Sequence, residues 1–311
     1  MIVTIGAFDG FHRGHAELLR KCWELAEGNG WGVISFHPHP HLQRTLFTLK
    51  ERELIRRVLG IPHMYFLEFS EALRRLPPYE FWRLIHERFR VHGLVMGRDF
   101  HFGLNRAGNA DYLSRLARFD GVNRIVIADL VNKPKYSSTQ IRTLTQSGQV
   151  NEAAELLGYP PFMISRILHG NERGRTMSFP TANLDIADRI APAEGVYACA
   201  VCVDGELHCG ALSIGTNPTF GDVRELRCEV HILEFEGNIY GQELCVFFLG
   251  RVRDILAFAH KEELARQIRR DIDTCRKIFA RAMRNEETRA FLERAEELSQ
   301  DRLTSEVVRL V

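Results

Sequence analysis

The first 36 residues constrain the fold most strongly, because they have the pattern of a strand, a glycine-bearing turn, a helix and a second strand. Residues 2–5 form a short apolar run that leads into Gly6-Ala7-Phe8-Asp9-Gly10. Apolar residues then recur at helical spacing over residues 15–27, and residues 33–36 form a second apolar run. This order predicts a βαβ unit and therefore a parallel sheet. Ligands of such sheets bind beyond the carboxyl ends of the strands, where the glycine turn lies.

The rest of the first half continues the α/β pattern. Amphipathic and strand-like segments alternate, over residues 50–59, 63–67, 78–90, 91–96 and 125–128. A loop with three glycines and two aromatic residues follows residue 96, and its position after a parallel strand suits the wall of a ligand site. Asp99 is its candidate polar contact. The alternative for Phe100 is packing against Phe102 in a turn.

The rhythm of the sequence changes after Gly158-Tyr159-Pro160-Pro161, which ends a short helical segment and predicts a domain boundary. Beyond it, short strand-like runs recur with hairpin signals between them, over residues 162–168, 195–203, 207–214, 226–235 and 244–249. Such spacing predicts a small antiparallel barrel. Residues 260–284 are expected to form an amphipathic helix. Residues 286–298 predict another, which by default packs on the protein's own barrel, with self-association as the alternative.

Composition excludes several classes of protein. The 311 residues carry a net charge of +1, so we expect no broad nucleic-acid-binding face. No apolar run reaches about 18 residues, so we expect no membrane span. The N-terminus lacks the layout of a signal peptide, which predicts a cytoplasmic protein. The seven cysteines are expected to be free thiols.

Cys199 and Cys202 have the spacing of a zinc-binding pair, with His208 and Cys209 nearby. However, residues 195–203 are strongly strand-like, and positions three apart on a strand face opposite sides of the sheet. We therefore favour core thiols over a metal site here.

A His-x-Gly-His pattern stands at the head of the first predicted helix. His12 and His15 flank Gly14 where a helix N-terminus offers N–H groups and partial positive charge. That arrangement can hold a polyphosphate and stabilise charge on a leaving pyrophosphate. The alternative is a pair of surface histidines around a helix cap.

A basic, glycine-bearing loop runs into a proline-fixed turn just past the midpoint of the chain. Residues 169–175 read His-Gly-Asn-Glu-Arg-Gly-Arg, and residues 179–183 read Phe-Pro-Thr-Ala-Asn. Glycines let the backbone approach phosphate oxygens, and arginines supply charge-assisted donors. Thr181 and Asn183 lie two apart, so an extended backbone points both oxygens the same way. Hard oxygen ligands of this kind suit Mg²⁺.

Taken together, these motifs resemble those of the bifunctional prokaryotic riboflavin kinases/FAD synthetases, over about residues 1–280. The glycine turn with His-x-Gly-His is similar to the signature of the nucleotidylyltransferase superfamily. The Phe-Pro-Thr-Ala-Asn element resembles that of riboflavin kinases. Ser137-Ser138-Thr139 with Arg142 resembles the family's element that completes the triphosphate site. The resemblance implies a Rossmann-like nucleotidylyltransferase domain and a six-stranded antiparallel β-barrel with a C-terminal helix. The implied domains are residues 1–158 and 159–284, with 285–311 as a helical extension.

The resemblance also implies a role for individual residues. Glu229 is the implied general base of the kinase, Thr181 and Asn183 hold Mg²⁺, and His12 and His15 bind the ATP phosphates. The other implied nucleotide-binding residues are Gly6, Phe8, Asp9, Gly14, Ser138, Thr139, Arg142, Gly170, Arg173, Gly174 and Arg175. The implied flavin-binding residues are Asp99, Phe100, Asn217 and Arg253.

The implied activity has two steps, phosphorylation of riboflavin to FMN and adenylylation of FMN to FAD, each with ATP. The alternatives are an enzyme with one inactive site and a non-catalytic flavin-binding protein. Four positions depart from the family pattern, one of them His37, which stands where an acidic residue is expected. Ser165 and Ser178 stand where glycine is expected, and Ile255 stands where an acidic residue is usual.

Overall fold

The computed structural model describes residues 1–129, 136–168, 179–187, 189–217, 225–299, 301, 303–305 and 307–311. These residues group into two units. The first comprises Met1–Ser137 together with Leu303–Val311, and the second comprises Ser138–Arg302. The predictions for Gly170, Arg173, Gly174, Arg175 and Ser178 fall outside the described residues.

The first unit is a parallel sheet flanked by helices, as predicted. Its sheet strands are β1 (Ile2–Ile5), β2 (Trp31–His37), β3 (His63–Glu68), β4 (Gly93–Gly97), β7 (Arg124–Ala128) and β14 (Val307–Val308). Its helices are α1 (Arg13–Ala26), α2 (Leu49–Val58), α3 (Glu71–Arg74), α4 (Pro78–Phe89) and α5 (Ala110–Phe119), and β5 (His101–Phe102) pairs with β6 (Gly108–Asn109). The strand order is β14-β3-β2-β1-β4-β7, and all neighbouring pairs are parallel.

Local signals explain where helices of this unit begin and which face they bury. Helix α1 buries the apolar stripe that includes Leu18, Leu19 and Cys22. Helix α2 begins at a capping box, in which Thr48 and Glu51 each accept a hydrogen bond from the other's backbone N–H. These helices cover the sheet and leave its carboxyl edge to the loops.

The second unit contains the predicted six-stranded barrel. Its strands are β8 (Phe162–Leu168), β9 (Ala182–Leu184), β10 (Gly195–Val203), β11 (Glu206–Asn217), β12 (Glu225–Ile232) and β13 (Glu243–Arg253). They close in the order β10-β11-β12-β9-β8-β13. The barrel is antiparallel throughout. Its interior holds alternate residues of each strand, including Val201, Leu212 and Val230.

Four helices accompany the barrel: α6 (Ser138–Gln146), α7 (Val150–Leu157), α8 (Lys261–Arg284) and α9 (Glu286–Ser299). Val150 belongs to the barrel core, so α7 is packed on the barrel. On α9, Phe291 meets the ring of Phe247 on β13 edge to face, with ring centroids 6.2 Å apart. Helix α9 thus packs on the protein's own barrel, as expected by default. None of the helices described is long and apolar enough to cross a bilayer.

The last residues of the chain return to the first unit as an edge strand, which the sequence did not lead us to expect. Strand β14 pairs in parallel with β3. Val308 is buried in the core of the sheet. Arg309 forms an ion pair with Glu68, and the Ser305 hydroxyl donates to the Leu49 carbonyl oxygen at 3.1 Å. The extension after residue 285 is therefore a helix followed by a strand.

All seven cysteines are free, as predicted. Cys199 lies in the barrel core, whereas Cys202 contacts Ser299 of α9 at 3.1 Å. The two thiols therefore face opposite sides of β10, which agrees with our preference for core thiols. Among the described residues, no three side chains of His, Cys, Asp or Glu are grouped as a metal site would require.

Candidate active sites

The turn after β1 has a strained backbone. Phe8 and Phe11 have φ angles of 43° and 26°, in the left-handed region that bulky residues avoid. Both rings are buried, and they stack with centroids 5.4 Å apart. Such strain persists only where surrounding contacts fix the conformation, and it is concentrated at functional loops. The strained backbone therefore indicates that this turn, at the carboxyl edge of the sheet, is a candidate functional loop.

The buried side chain of Arg52 hydrogen-bonds to the backbone of this turn. The guanidinium of Arg52 donates to the Ala7 carbonyl oxygen at 2.7 Å and also contacts the hydroxyl of Ser35. It lies 4.6 Å from the centroid of the Phe66 ring. Burial lowers the pKa of Arg52 to about 10, and the nearby carboxylate of Asp9 opposes that shift. The side chain thus remains a cation at neutral pH.

Asp9 is buried within the same turn. Its Oδ1 accepts a hydrogen bond from the backbone N–H of Leu46 at 3.0 Å. Asp9 and Arg52 are therefore buried groups of opposite charge that lie near each other at this turn. Arg52 was not singled out from the sequence. The sequence signal that could have led to Arg52 is Asp9 in the glycine turn. A carboxylate that is buried there requires a cation or several N–H donors nearby.

His12 and His15 lie together at the N-terminus of α1, as predicted. Their rings stack with centroids 3.7 Å apart. Burial lowers the pKa of His12 to about 4, and burial, aided by the neighbouring His12 and Arg52, lowers the pKa of His15 well below its usual value. Their Nδ1 atoms are buried and have no hydrogen-bond partner among the described residues. Two neutral, unsatisfied imidazoles at a helix N-terminus suit a bound anion.

Gly14 permits a close approach between the histidines and a later segment of the first unit. A Cβ at Gly14 would lie 3.1 Å from the ring of His12 and 3.1 Å from the Cβ of Tyr136. A Cβ at Gly6 would lie 3.1 Å from the Phe8 ring. Larger residues at these two positions would displace the aromatic rings that shape the site.

The predicted phosphate contacts after Tyr136 lie at the start of α6. Ser138 and Thr139 are its first two residues, and Arg142 lies on its second turn. A helix N-terminus is a suitable place for phosphate oxygens. Helix α6 groups with the barrel unit. The role of these three residues stays a prediction.

In the loop after β4, Phe100 packs against Phe102, which was the alternative to a ligand contact in the sequence analysis. Phe100 and Phe102 stack with centroids 5.5 Å apart and planes inclined by 12°. Phe102 is buried in the sheet's core, and Phe100 packs against that core. Asp99 is exposed, and its carbonyl oxygen accepts a hydrogen bond from His101. The flavin contacts predicted for Asp99 and Phe100 stay predictions.

The barrel unit brings together the three side chains predicted for phosphate transfer. Strand β12 pairs with β9 so that Glu229 lies opposite Asn183. The hydroxyl of Thr181 lies 3.4 Å from Oε2 of Glu229. Ala182 and Val230 of the same strands are buried in the barrel core. Alternation therefore places all three oxygen-bearing side chains on the outer face of the barrel.

Ser165, a departure from the family pattern, is accommodated by a hydrogen bond. Its side chain is buried, and its hydroxyl donates to the Asp185 carbonyl oxygen at 2.8 Å. Asp185 directly follows β9. The serine side chain, where glycine was expected, thus links β8 to the residue that follows β9. Ile255, a second departure, is exposed and lies over Gly215, where a Cβ would be 3.4 Å from its side chain.

Arg253 is directed toward α8 rather than toward open space. Its guanidinium donates to both carboxylate oxygens of Asp271, the shortest contact being 2.6 Å. Gln267 donates to the same carboxylate at 2.9 Å. A flavin contact of Arg253 stays a prediction. Asn217 ends β11, and its side chain falls outside the described part of the chain.

Comparisons with known proteins match two different families to the two halves of the chain. The FAD synthetase family model matches residues 1–140, and the riboflavin kinase model matches residues 157–279. A bifunctional riboflavin kinase/FMN adenylyltransferase of Listeria monocytogenes is 34% identical, with 90% of this chain and 93% of the relative covered. The enzyme of the same name from Pseudomonas fluorescens is also 34% identical, over 90% and 93%.

A solved structure also covers most of the chain. A crystal structure described as a macrolide-efflux protein from Streptococcus pneumoniae has a TM-score of 0.79 and 32% identity, covering 88% of this chain and 93% of that one. Its description names efflux, whereas both family models and the sequence relatives name flavin enzymes. On the two family models, the relatives and the fold, the chain belongs to the bifunctional riboflavin kinase/FAD synthetase family.

Proposed function

We propose that the protein converts riboflavin to FMN in the barrel unit and FMN to FAD in the α/β unit, using one ATP in each step. The grouping of Thr181, Asn183 and Glu229 on one face of the barrel carries the kinase half of the proposal. The stacked, unsatisfied histidines of α1 carry the adenylyl-transfer half. The substrates and products are small molecules, and we propose that the enzyme acts in the cytoplasm.

In the kinase step, the riboflavin hydroxyl attacks the γ-phosphorus of ATP. Glu229 takes the hydroxyl proton, an O–P bond forms, and the bond to the β-phosphate oxygen breaks so that ADP leaves. Thr181 and Asn183 would hold the Mg²⁺ ion that accompanies the nucleotide. The donor set fits this ion, because the Thr181 hydroxyl and the Asn183 amide supply hard oxygens on the face that also carries Glu229. Bound Mg²⁺ would supply neutralisation of charge on the phosphate oxygens.

In the adenylyl-transfer step, a phosphate oxygen of FMN attacks the α-phosphorus of a second ATP, and pyrophosphate leaves. The nucleophile is the FMN phosphate, so no covalent intermediate with the enzyme is needed. His12 and His15 donate N–H groups to the phosphates at the N-terminus of α1. Because burial keeps both rings neutral, the incoming anion meets donors without displacing another counter-ion.

Further contacts are proposed from the family resemblance. The remaining nucleotide contacts are assigned to Gly6, Phe8, Asp9, Gly14, Ser138, Thr139, Arg142, Gly170, Arg173, Gly174 and Arg175. The flavin contacts are assigned to Asp99, Phe100, Asn217 and Arg253. We also propose catalytic domains that end near residues 158 and 284.

A product assay tests both halves. Purified protein is incubated with riboflavin, ATP and Mg²⁺, and the flavins are separated by chromatography over time. FMN is expected first and FAD after it. Absence of FMN would contradict the kinase half. FMN without FAD, also when FMN is supplied directly, would indicate an enzyme with one active site. Flavin binding without either product would indicate a flavin-binding protein.

A further inference from the structure

His231 makes a contact that the catalytic proposal does not use. It lies on β12, two residues beyond Glu229 and on the same face of the strand. Its Nδ1 atom lies 2.8 Å from the carbonyl oxygen of Pro180. A carbonyl oxygen only accepts hydrogen bonds, so this imidazole carries a proton on Nδ1. The ring also meets the Phe179 ring edge to face, with centroids 5.8 Å apart.

This contact continues a ladder where the backbone pairing ends. The described pairing of β9 with β12 runs only as far as Ala182 opposite Val230. Pro180 has no N–H group, so it cannot donate a ladder hydrogen bond of its own. The imidazole of His231 supplies the next bond between the two segments, from side chain to backbone. The Phe-Pro-Thr-Ala-Asn element is thus held to β12 at both ends.

The residue held between these two attachments is Thr181. Its backbone is fixed on one side by the Pro180 carbonyl and on the other by the β9 ladder. This leaves its hydroxyl 3.4 Å from Glu229. A shift of Pro180 would move Thr181 relative to both Glu229 and Asn183. Reactions that depend on positioned groups lose up to about a hundredfold in rate for a misplacement of ~1 Å.

We propose that His231 is a positioning residue for phosphate transfer, which sets the distance between Thr181 and Glu229 by holding the Pro180 carbonyl. The proposal rests on the proposed kinase function. It assigns His231 no contact with substrate and no proton transfer, because it acts only through Pro180. It also predicts which atom of the ring matters, namely the Nδ1 donor.

Two variants separate the donor from the bulk of the ring. His231→Ala removes the donor, and His231→Asn restores an N–H donor near the position of Nδ1. His208→Ala is the matched control, because His208 is also a barrel histidine that meets a phenylalanine edge to face, Phe235 at 5.4 Å. FMN formation is measured against Mg²⁺ and riboflavin concentration. FAD formation from added FMN is the internal control for folding.

His231→Ala is expected to raise the Mg²⁺ concentration at half-maximal rate and to lower FMN formation by about tenfold or more. Conversion of FMN to FAD should be unchanged. His231→Asn should recover most of the loss, and His208→Ala should behave as the wild type. Equal losses in the Ala and Asn variants, or FMN formation by His231→Ala within about twofold of wild type, would overturn the positioning role.

A readout without turnover separates this proposal from the kinase proposal. Nitrogen chemical shifts of His231 report which ring nitrogen is protonated. The neutral ring of the wild type is expected to carry its proton on Nδ1, and a proton on Nε2 would overturn the anchoring contact. If the wild type makes no FMN, the kinase proposal and the positioning role fall together. If it makes FMN while His231→Ala is normal, only the positioning role falls.

Discussion

The hydroxyl of Thr181 lies 3.4 Å from the carboxylate of Glu229, although the two residues are 48 positions apart in the sequence. Strand pairing produces this contact, because Asn183 and Glu229 are directly opposed in the ladder of β9 and β12. The interior of the barrel is filled by the alternate residues Ala182 and Val230. The core therefore forces the polar partners onto the same outer face.

Replacing Glu229 by Gln should abolish most of the kinase activity. The amide keeps the size of the side chain but cannot accept the hydroxyl proton, so kcat for FMN formation is expected to fall by about 10²- to 10⁴-fold. Riboflavin binding, followed by flavin fluorescence, and FAD formation from FMN should persist. Glu206→Gln, on the exposed start of β11, is the control. A Glu229→Gln variant with normal FMN formation would show that another group is the base.

The stacked histidines should make the first unit sensitive to acid. Because burial lowers the pKa of His12 to about 4, the unfolded chain binds more protons than the folded one between about pH 6.5 and 4. Stability should therefore fall as the pH falls through this window, by on the order of 3 kcal/mol for His12. His15 shifts in the same direction. Hydrogen exchange of residues 2–26 between pH 4 and 7 measures the effect.

The variants that test this prediction replace both histidines by glutamine, a side chain that is neutral at every pH. His12→Gln with His15→Gln should flatten the acid dependence, whereas His63→Gln, at an exposed position, should not. Parallel pH curves for the double variant and the wild type would contradict the burial of a neutral pair. The double variant should also lose FAD formation and retain FMN formation.

Arg52 should be needed for the stability and activity of the first unit. Arg52→Leu removes a buried cation near Asp9 and one of the two donors to the Ala7 carbonyl oxygen, the other being the Ser35 hydroxyl, so we expect the free energy of unfolding to fall by about 3 kcal/mol. Arg52→Lys should recover part of this loss, since it keeps the charge but not the fork of donors. Denaturation and FAD formation are both measured. Kinase activity is the control, and a stable, active Arg52→Leu protein would show that the buried pair is dispensable.

The C-terminal strand should protect the edge of the sheet. Replacing Val308 by Asp removes the burial of one Val side chain, about 1.5 to 3 kcal/mol, and removing residues 303–311 also removes the pairing to β3 and the packing of Leu310. Hydrogen exchange at residues 63–68 is expected to rise. Arg309→Ala should have little effect, because its ion pair with Glu68 is exposed. Unchanged exchange in the truncated protein would show that β14 adds no protection.

Much of the fold could be predicted from apolar patterns within single segments of the sequence. The apolar alternation of β12 and the helical stripe of α1 are local, so their positions could be predicted from the sequence. The chemistry of the sites was also predictable where a motif is continuous, as in His12-x-Gly14-His15. These motifs carry the side chains and the backbone freedom in one stretch of chain.

Several contacts between distant segments were not predictable from the local pattern of the sequence. Strand β9 has only three residues, and its polar Asn183 hides the apolar alternation. Strand β14 is two residues long and acquires its conformation from β3, which is more than 230 positions away. Arg52 looked like a charged residue on an ordinary amphipathic helix, and only its neighbours in the structure show that it is buried. A tertiary partner decides each of these cases.

The position of β14 has a consequence for synthesis of the chain. The strand that covers the edge of β3 is made after the strands of the barrel. At ~5–20 residues per second, the ribosome needs about 10 to 40 s to pass from β7 to β14. During that time the nascent sheet presents an open edge, which is a template for pairing with other chains. Until β14 has emerged, the edge of β3 therefore stays open to such pairing.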